Sequence, residues 1–379
     1  MSALDVMPAR PLRIVMLGLS ITSSWGNGHA TTYRALVKAL CRRGHDVLFL
    51  ERDMPWYCEH RDLPQPPFGA TRLYGSIAEL SERWGGALRD ADVTIVGSYV
   101  PDGIAVVEFV QRSAAGIVAF YDIDTPVTLA AVAAGKCEYL RADLIPGFDI
   151  YLSFTGGPAL RRIEREFGAV AARALYCGVD PDCHCPQAGE PRWDLGYLGT
   201  YSADRQPSLE RLLCRPARAW PEGRFVVAGS LFPNDTVWPV NVARVEHIAP
   251  EAHATFFAGQ RFTLNVTRAD MIDCGYSPSV RLFEAAASGA PIISDWWPGL
   301  DEFFQPSREI LVARSTDEVL YYLRRLSEGG RMRLAQAARD RVLACHTAEH
   351  RAIALEAYID GVRARRHARR AMPVAAAAQ

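Results

Sequence analysis

Three stretches and one acidic pair hold residue types that could do chemistry together. The most informative begins Asn265-Val266-Thr267-Arg268 and continues Tyr276-Ser277-Pro278-Ser279-Val280-Arg281-Leu282-Phe283-Glu284. Ser277 suits a helix N-cap and Pro278 the first helical position. A helix starting there offers free N–H groups and a positive dipole end, which together attract anions. Arg281 could add a two-pronged grip on a phosphate, and Glu284 could accept bonds from vicinal hydroxyls such as those of a ribose. Read without a ligand, the same two residues are an i,i+3 surface ion pair worth about a few tenths of a kcal/mol.

The second stretch is Trp25-Gly26-Asn27-Gly28-His29. Its glycines let backbone come close to a ligand, although the spacing is not that of a dinucleotide fingerprint. His29 at a helix start is a candidate base, because the dipole there disfavours its cationic form; the plain alternative is a histidine capping its own helix. The third stretch, Gly199-Thr200-Tyr201-Ser202-Ala203-Asp204-Arg205, follows a strand-like run. It either borders a ligand or is an ordinary turn capped by Ser202 or Asp204. The acidic pair is Asp122-Ile123-Asp124 at another strand end. Asp124 ranks ahead of Asp122 as a general base, since Asp122 could point back into the sheet; Asp124 could equally cap the helix near Pro126.

These residues need elements to hold them, and the pattern supplies a sheet. Continuous apolar runs at 12–19, 46–50, 92–97, 116–121 and 149–154 read as strands buried on both faces, the parallel-sheet condition. Helical patterns at 29–43, 102–114 and 157–167 alternate with them. After a polar, Pro-punctuated connector the alternation restarts, with strands at 194–199, 224–229, 261–266 and 291–294 and helices near 207–214, 250–259 and 279–288. Further helices follow at 315–328, 331–345 and 347–366. The expected fold is α/β, with two doubly wound, Rossmann-like domains facing a central cleft. The expected division is an N-terminal domain 1–178, a connector 179–192, a second domain 193–345, a helix 346–370 able to pack back on the first domain, and a tail 371–379. Arg363 to Arg370 holds five arginines and reads as a solvated helix end.

Length and composition agree. At 379 residues, 49% hydrophobic and 22% charged, the chain is long enough for two globular domains and too apolar for disorder. Lys+Arg 42 against Asp+Glu 43 leaves a formal charge of −1, without the basic excess of a dedicated nucleic-acid binder. Nine scattered cysteines without a C-x-x-C pair read as free thiols, and Cys183-His184-Cys185 is too tight for the usual zinc clip. With no leader-like segment and no run of about 20 apolar residues, the expectation is a cytoplasmic protein without an integral membrane segment.

The string R-L-F-E-A-A-A-S-G-A-P-I-I-S-D, with L-N-V-T-R before it and G-L-D-E-F-F…E-I-L-V after it, resembles the C-terminal half of GT-B glycosyltransferases. Within these it is most similar to the spore-maturation, CgeB-like group; the opening G-L-S…W-G-N-G-H-A-T-T-Y and the linker G-V-D-P also fit. The resemblance implies a nucleotide-diphosphate sugar, of UDP or dTDP type, held mainly by the second domain and passed to an acceptor that is a small molecule, a glycan or a protein. It implies that Glu284 binds the ribose and that Arg281 with Ser277, Pro278 and Ser279 holds the diphosphate, with Arg268 adding charge. Asn265, Tyr276, Asp301, Thr200, Tyr201 and Arg205 join this donor side, and Gly26, Asn27, Gly28 and Asp122 face it. Asp124 or His29 would take the acceptor's proton. Tyr276 stands where the broader retaining group carries a first glutamate. The Asp-x-Asp pair resembles the metal motif of the other glycosyltransferase fold, which two doubly wound domains do not match, so no metal and no further cofactor is expected. A nucleotide-sugar epimerase and a non-catalytic coat or assembly protein are the alternative functions on the same scaffold.

Overall fold

The computed structural model describes residues 7, 8 and 10–371; the tail beyond 371 lies outside the described residues. The first domain is a seven-stranded parallel sheet of β1 (Arg13–Gly18), β2 (Asp46–Arg52), β3 (Ala70–Tyr74), β4 (Val93–Gly97), β5 (Ile117–Asp122), β6 (Ile150–Ser153) and β7 (Ala172–Ala174), in spatial order β3-β2-β1-β4-β5-β6-β7. The second is a six-stranded parallel sheet of β8 (Trp193–Leu198), β9 (Phe225–Ala228), β10 (Val242–Val245), β11 (Gln260–Asn265), β12 (Ile292–Ser294) and β13 (Leu311–Val312), in the order β10-β9-β8-β11-β12-β13. In each sheet the order reverses beside the first strand, which opens a crevice at the carboxyl ends.

The central strands form because their residues fit burial on both faces: β4 and β5 are buried at every position. Helices cover both sides of each sheet and close four apolar clusters. The last helix, Ala348–Ala371, follows the second domain but packs on the first. Its Ala352, Leu355, Ile359 and Val362 join the core beside helix His29–Arg42. Tyr358 donates to the Ala174 carbonyl at 2.9 Å. The basic stretch at its end is not a simple solvated face: Arg363 reaches Asp92 at 3.3 Å and Arg366 reaches Asp149 at 2.7 Å. Among the described residues no helix is long and apolar enough to cross a membrane, and all nine cysteines are free thiols.

Two fully buried carboxylates organise the strand ends of the first domain. Glu51, at the end of β2, accepts four bonds: from the Ser20 hydroxyl (2.9 Å), the Ile21 and Thr22 amides (2.7 and 3.0 Å) and the Thr22 hydroxyl (2.6 Å). It thereby fixes the loop leading to Gly26 and His29. Asp122, at the end of β5, accepts from Tyr151 (2.5 Å), Thr128 (2.6 Å) and the Asp124 amide (3.3 Å). Asp122 is therefore turned into the protein and does not border the cleft, correcting its expected place among the binding residues. Burial pushes its carboxyl up to about 6, against the pull of Thr128 and Tyr151.

Both carboxylates yield stability predictions. Glu51→Gln turns an amide group towards donors and should cost about 2–3 kcal/mol in chemical denaturation. Asp122 holds its proton more tightly folded than unfolded, so its contribution favours the fold at low pH and is lost between about pH 4 and 6. Denaturation curves across that window should show a decline for the native chain that Asp122→Asn lacks.

Candidate active site

The cleft between the domains encloses a cavity of about 480 Å³, within the range of small-molecule sites. The first domain supplies one wall through the turn before helix His29–Arg42. Asn27 shapes that turn: its amide group donates to the Ser20 and Ser23 carbonyls, and its oxygen accepts the His29 amide at 3.1 Å. Gly26 takes φ +59°, the left-handed region where a side chain would be strained. Gly26, Asn27, Gly28 and His29 all border the cavity.

His29 is half-buried, its shielded Nδ1 has no hydrogen-bond partner, and desolvation lowers its pKa while nearby Asp124 partly opposes this. The ring is thus a neutral imidazole over the ordinary physiological range. Asp124 also borders the cavity. Its Oδ2 accepts from the Tyr99 hydroxyl at 2.7 Å and from Arg268 at 3.2 Å, while its Oδ1 is buried without a partner. Tyr99 reaches it from a left-handed backbone, φ +62°, a conformation that a tyrosine holds only when its surroundings demand it.

The opposite wall is built on helix Val280–Ala287. The helix begins two residues later than the sequence suggests: Ser279 is the N-cap and makes no side-chain cap bond. Ser277 instead bonds Thr155 of the first domain at 2.7 Å, and the Tyr276 carbonyl accepts the Gly156 amide at 2.9 Å. Tyr276 itself sits at φ +50° with its ring in a slot between Gly157 and Gly299. Ser277 and Tyr276 are seam residues between the domains and do not border the cavity; Pro278, Ser279, Arg281 and Glu284 do.

Arg281 is not a surface residue. It is 7% exposed, its guanidinium lies over the Tyr197 ring, and it donates to the Leu198 carbonyl and, at 2.9 Å, to the Asn265 side-chain oxygen. Asn265 is accordingly a positioning residue behind the wall. Both hydrogen-bond partners of Arg281 are neutral, and no carboxylate lies within ion-pair distance among the described residues. Burial pulls its pKa down and Arg205 adds to the positive potential, against the opposing pull of Tyr197, Glu284 and Asp295. Thr200, Arg205 and Arg268 border the cavity around it. Two expected members do not: Tyr201 packs against Phe232, with ring centroids 5.5 Å apart, and Asp301 is exposed on the short helix Leu300–Phe303.

Glu284 borders the cavity but is not the surface ion-pair partner of Arg281 that the i,i+3 spacing allows. It is 3% exposed, and both oxygens face histidines: Oε1 lies 3.7 Å from His184 Nε2 and Oε2 lies 3.4 Å from His253 Nδ1. Burial alone would raise its pKa, but His184 and His253 hold the carboxyl well below the usual range. His253 is raised, the carboxylate outweighing burial, whereas burial lowers His184. Sequence reasoning passed over both histidines. His184 was visible only inside the Cys183-His184-Cys185 pattern, in which Cys183 donates to Asp180 and Cys185 lies beside Gln187.

Residues 205–357 match the model of a family described as Glycosyl transferase-like. No curated protein matches the sequence. Solved structures share the whole architecture. Sucrose-phosphate synthase from Thermosynechococcus elongatus aligns with a TM-score of 0.67 at 16% identity, over 94% of this chain and 100% of that one. HepE of Anabaena, in complex with UDP and glucose, aligns with a TM-score of 0.67 at 11% identity, over 92% and 100%. An alpha-glucosyltransferase in complex with UDP-glucose and DNA containing an abasic site aligns with a TM-score of 0.69 at 11% identity, over 93% and 100%. The chain thus has the GT-B fold, two Rossmann-like domains about a cleft, and its second half matches a glycosyltransferase-like family.

Proposed function

We propose that the protein is a glycosyltransferase that moves a sugar from a nucleoside-diphosphate donor to a hydroxyl-bearing acceptor. The observation that carries this reading is the buried Arg281 cation, held only by neutral oxygens at the start of a cavity-facing helix. A buried charge left this way is costly unless an anion joins it. The free N–H groups at the helix start, with Arg205 and Arg268 on the same wall, add to a field suited to a diphosphate. That the HepE and alpha-glucosyltransferase structures contain UDP or UDP-glucose supports a uridine donor here. The R-L-F-E-A-A-A-S-G string favours the CgeB-like branch.

In the transfer step the acceptor oxygen attacks the sugar C1 and the C1–O bond to the diphosphate breaks. The electron pair leaves with the diphosphate, where Arg281, Arg268 and the helix start stabilise it. The acceptor's proton passes to the His29 imidazole, which borders the cavity and whose cationic form is disfavoured by desolvation. Asp124, fixed by Tyr99 and Arg268, supports the resulting imidazolium. A direct displacement of this kind inverts the anomeric centre.

UDP should raise the melting temperature of the native chain by mass action, and Arg281→Ala should abolish that shift. Incubation with UDP-sugars and an acceptor panel should release UDP, read by mass spectrometry. The proposal fails if no nucleotide sugar stabilises the protein and none is turned over. His29→Gln should lower kcat about 10²–10⁴-fold while leaving the UDP-induced shift intact. Because burial lowers the His29 pKa, the pH–rate profile should hold its plateau below the ordinary histidine value of about 6.5 and fall only at lower pH.

A further inference from the structure

His184, His253 and Glu284 come from three separate elements: the inter-domain connector, the start of helix His253–Ala258 and the middle of helix Val280–Ala287. Their nearest ligating atoms all lie within 4.8 Å of one another. Neither ring nitrogen of His184 has a hydrogen-bond partner, although the residue is only 5% exposed. His253 Nε2 lies 3.2 Å from the Ile248 carbonyl, which can only accept, so Nε2 carries the proton. In the neutral ring that leaves the Nδ1 lone pair aimed at the Glu284 carboxylate, two electron-rich atoms facing each other across 3.4 Å. Something positive belongs between them.

Distance separates the two candidates, a proton and a metal ion. A charge-assisted hydrogen bond would draw nitrogen and oxygen to about 2.7–2.9 Å. Ligand atoms at about 2.0–2.1 Å from a tetrahedral zinc ion stand about 3.3–3.4 Å apart. The observed separations, 3.4 Å from His253 to Oε2 and 3.7 Å from His184 to Oε1, are longer than such a hydrogen bond, and with all three groups within 4.8 Å a small rotation of the side chains brings them to the edges of such a tetrahedron. We propose that His184, His253 and Glu284 form a binding site for a divalent transition-metal ion of the zinc class, clipping the connector to the second domain.

The surroundings meet the further requirements of such a site. The Ile248 carbonyl holds the His253 tautomer that frees Nδ1, the usual outer partner of a metal-bound histidine. The His184 turn is fixed by Asp180, whose carboxylate accepts the Asp182 amide and the Lys38 ammonium, and whose carbonyl accepts the His184 amide at 2.9 Å. Access exists from both sides, because Glu284 borders the main cavity and also a second cavity of about 330 Å³ that His184 lines. Two imidazoles and one carboxylate suit zinc better than magnesium or calcium. Three protein ligands leave a fourth position for water or for an oxygen of a bound ligand.

The test uses the full, tag-free chain after dialysis against a chelator, without nucleotide, so its outcome is independent of the donor reading. Titration with zinc(II), read by elemental analysis after gel filtration, should load about one ion per chain, and cobalt(II) should give the visible absorption of a four-coordinate N/O site. Both signals should be lost in His184→Ala and His253→Ala and weakened in Glu284→Gln. Far-UV circular dichroism identifies any variant that does not fold, for which His184→Asn and His253→Asn replace the alanines. Zinc failing to load the native chain, or loading the folded variants equally as an adventitious ion, overturns the proposal.

Discussion

A guanidinium charge placed inside the protein without a carboxylate is the constraint on which the site depends. Arg281 reaches across the carboxyl ends of β8 and β11, taking the Leu198 carbonyl and the Asn265 amide oxygen and resting on Tyr197. Those contacts fix its direction, and no carboxylate among the described residues is within ion-pair distance of it, although Glu284 and Asp295 lie near enough to offset part of its charge. A side chain at Gly199 would collide with it, so the sequence after β8 has to be bare there. Replacing Asn265 by an aspartate would neutralise the cation from behind and remove its reason to attract an anion from the cleft. The neutral amide is what keeps the charge available.

The two walls are electrically unlike, and one ion pair spans them. Arg268 from the second domain meets Asp124 from the first at 3.2 Å and Asp204 at 3.5 Å. In the proposed function a phosphate entering beside Arg281 would compete for the same arginine. To the extent that it wins, Asp124 loses a positive neighbour and interacts more strongly with His29. In the proposed transfer, donor entry and base strength would be linked through one side chain. The seam below, Thr155 to Ser277 and Gly156 to Tyr276, holds the walls in register.

Much of the fold is legible in the residues, and what is not legible has a common cause. Nine strands announce themselves as continuous apolar runs because both of their faces are covered. The four that do not, β3, β7, β10 and β13, are the four sheet edges. Edge strands are covered less completely, so Ala-Arg-Ala in β7 or Val-Ala-Arg-Val in β10 carries no unbroken apolar signal. The helix start at 279 instead of 277 has a tertiary origin: Ser277 spends its hydroxyl on Thr155 across the seam, so the capping position moves to Ser279.

The cavity walls were legible where their residues lie close in sequence, and the His184–His253–Glu284 cluster, assembled at a distance, was not. His29 with its glycines, and Arg281 with Glu284, each sit within one turn of a single element, so spacing alone could propose them. Asp122 and Asp124 show how far spacing reaches. Two residues apart on a strand they would face the same way, but β5 ends at Asp122, and the chain turns Asp124 to the cleft while Tyr151 and Thr128 keep Asp122 inside. No local pattern marks His184 and His253. One lies in a Pro-punctuated connector and the other at the head of a six-residue helix, and only the packing of both against Glu284 makes them a cluster. A buried carboxylate that faces two imidazoles at 3.7 and 3.4 Å meets neither at the distance of a charge-assisted hydrogen bond. Its persistence in a well-packed interior is an argument about what the site holds, and residue spacing along the chain could not have raised it.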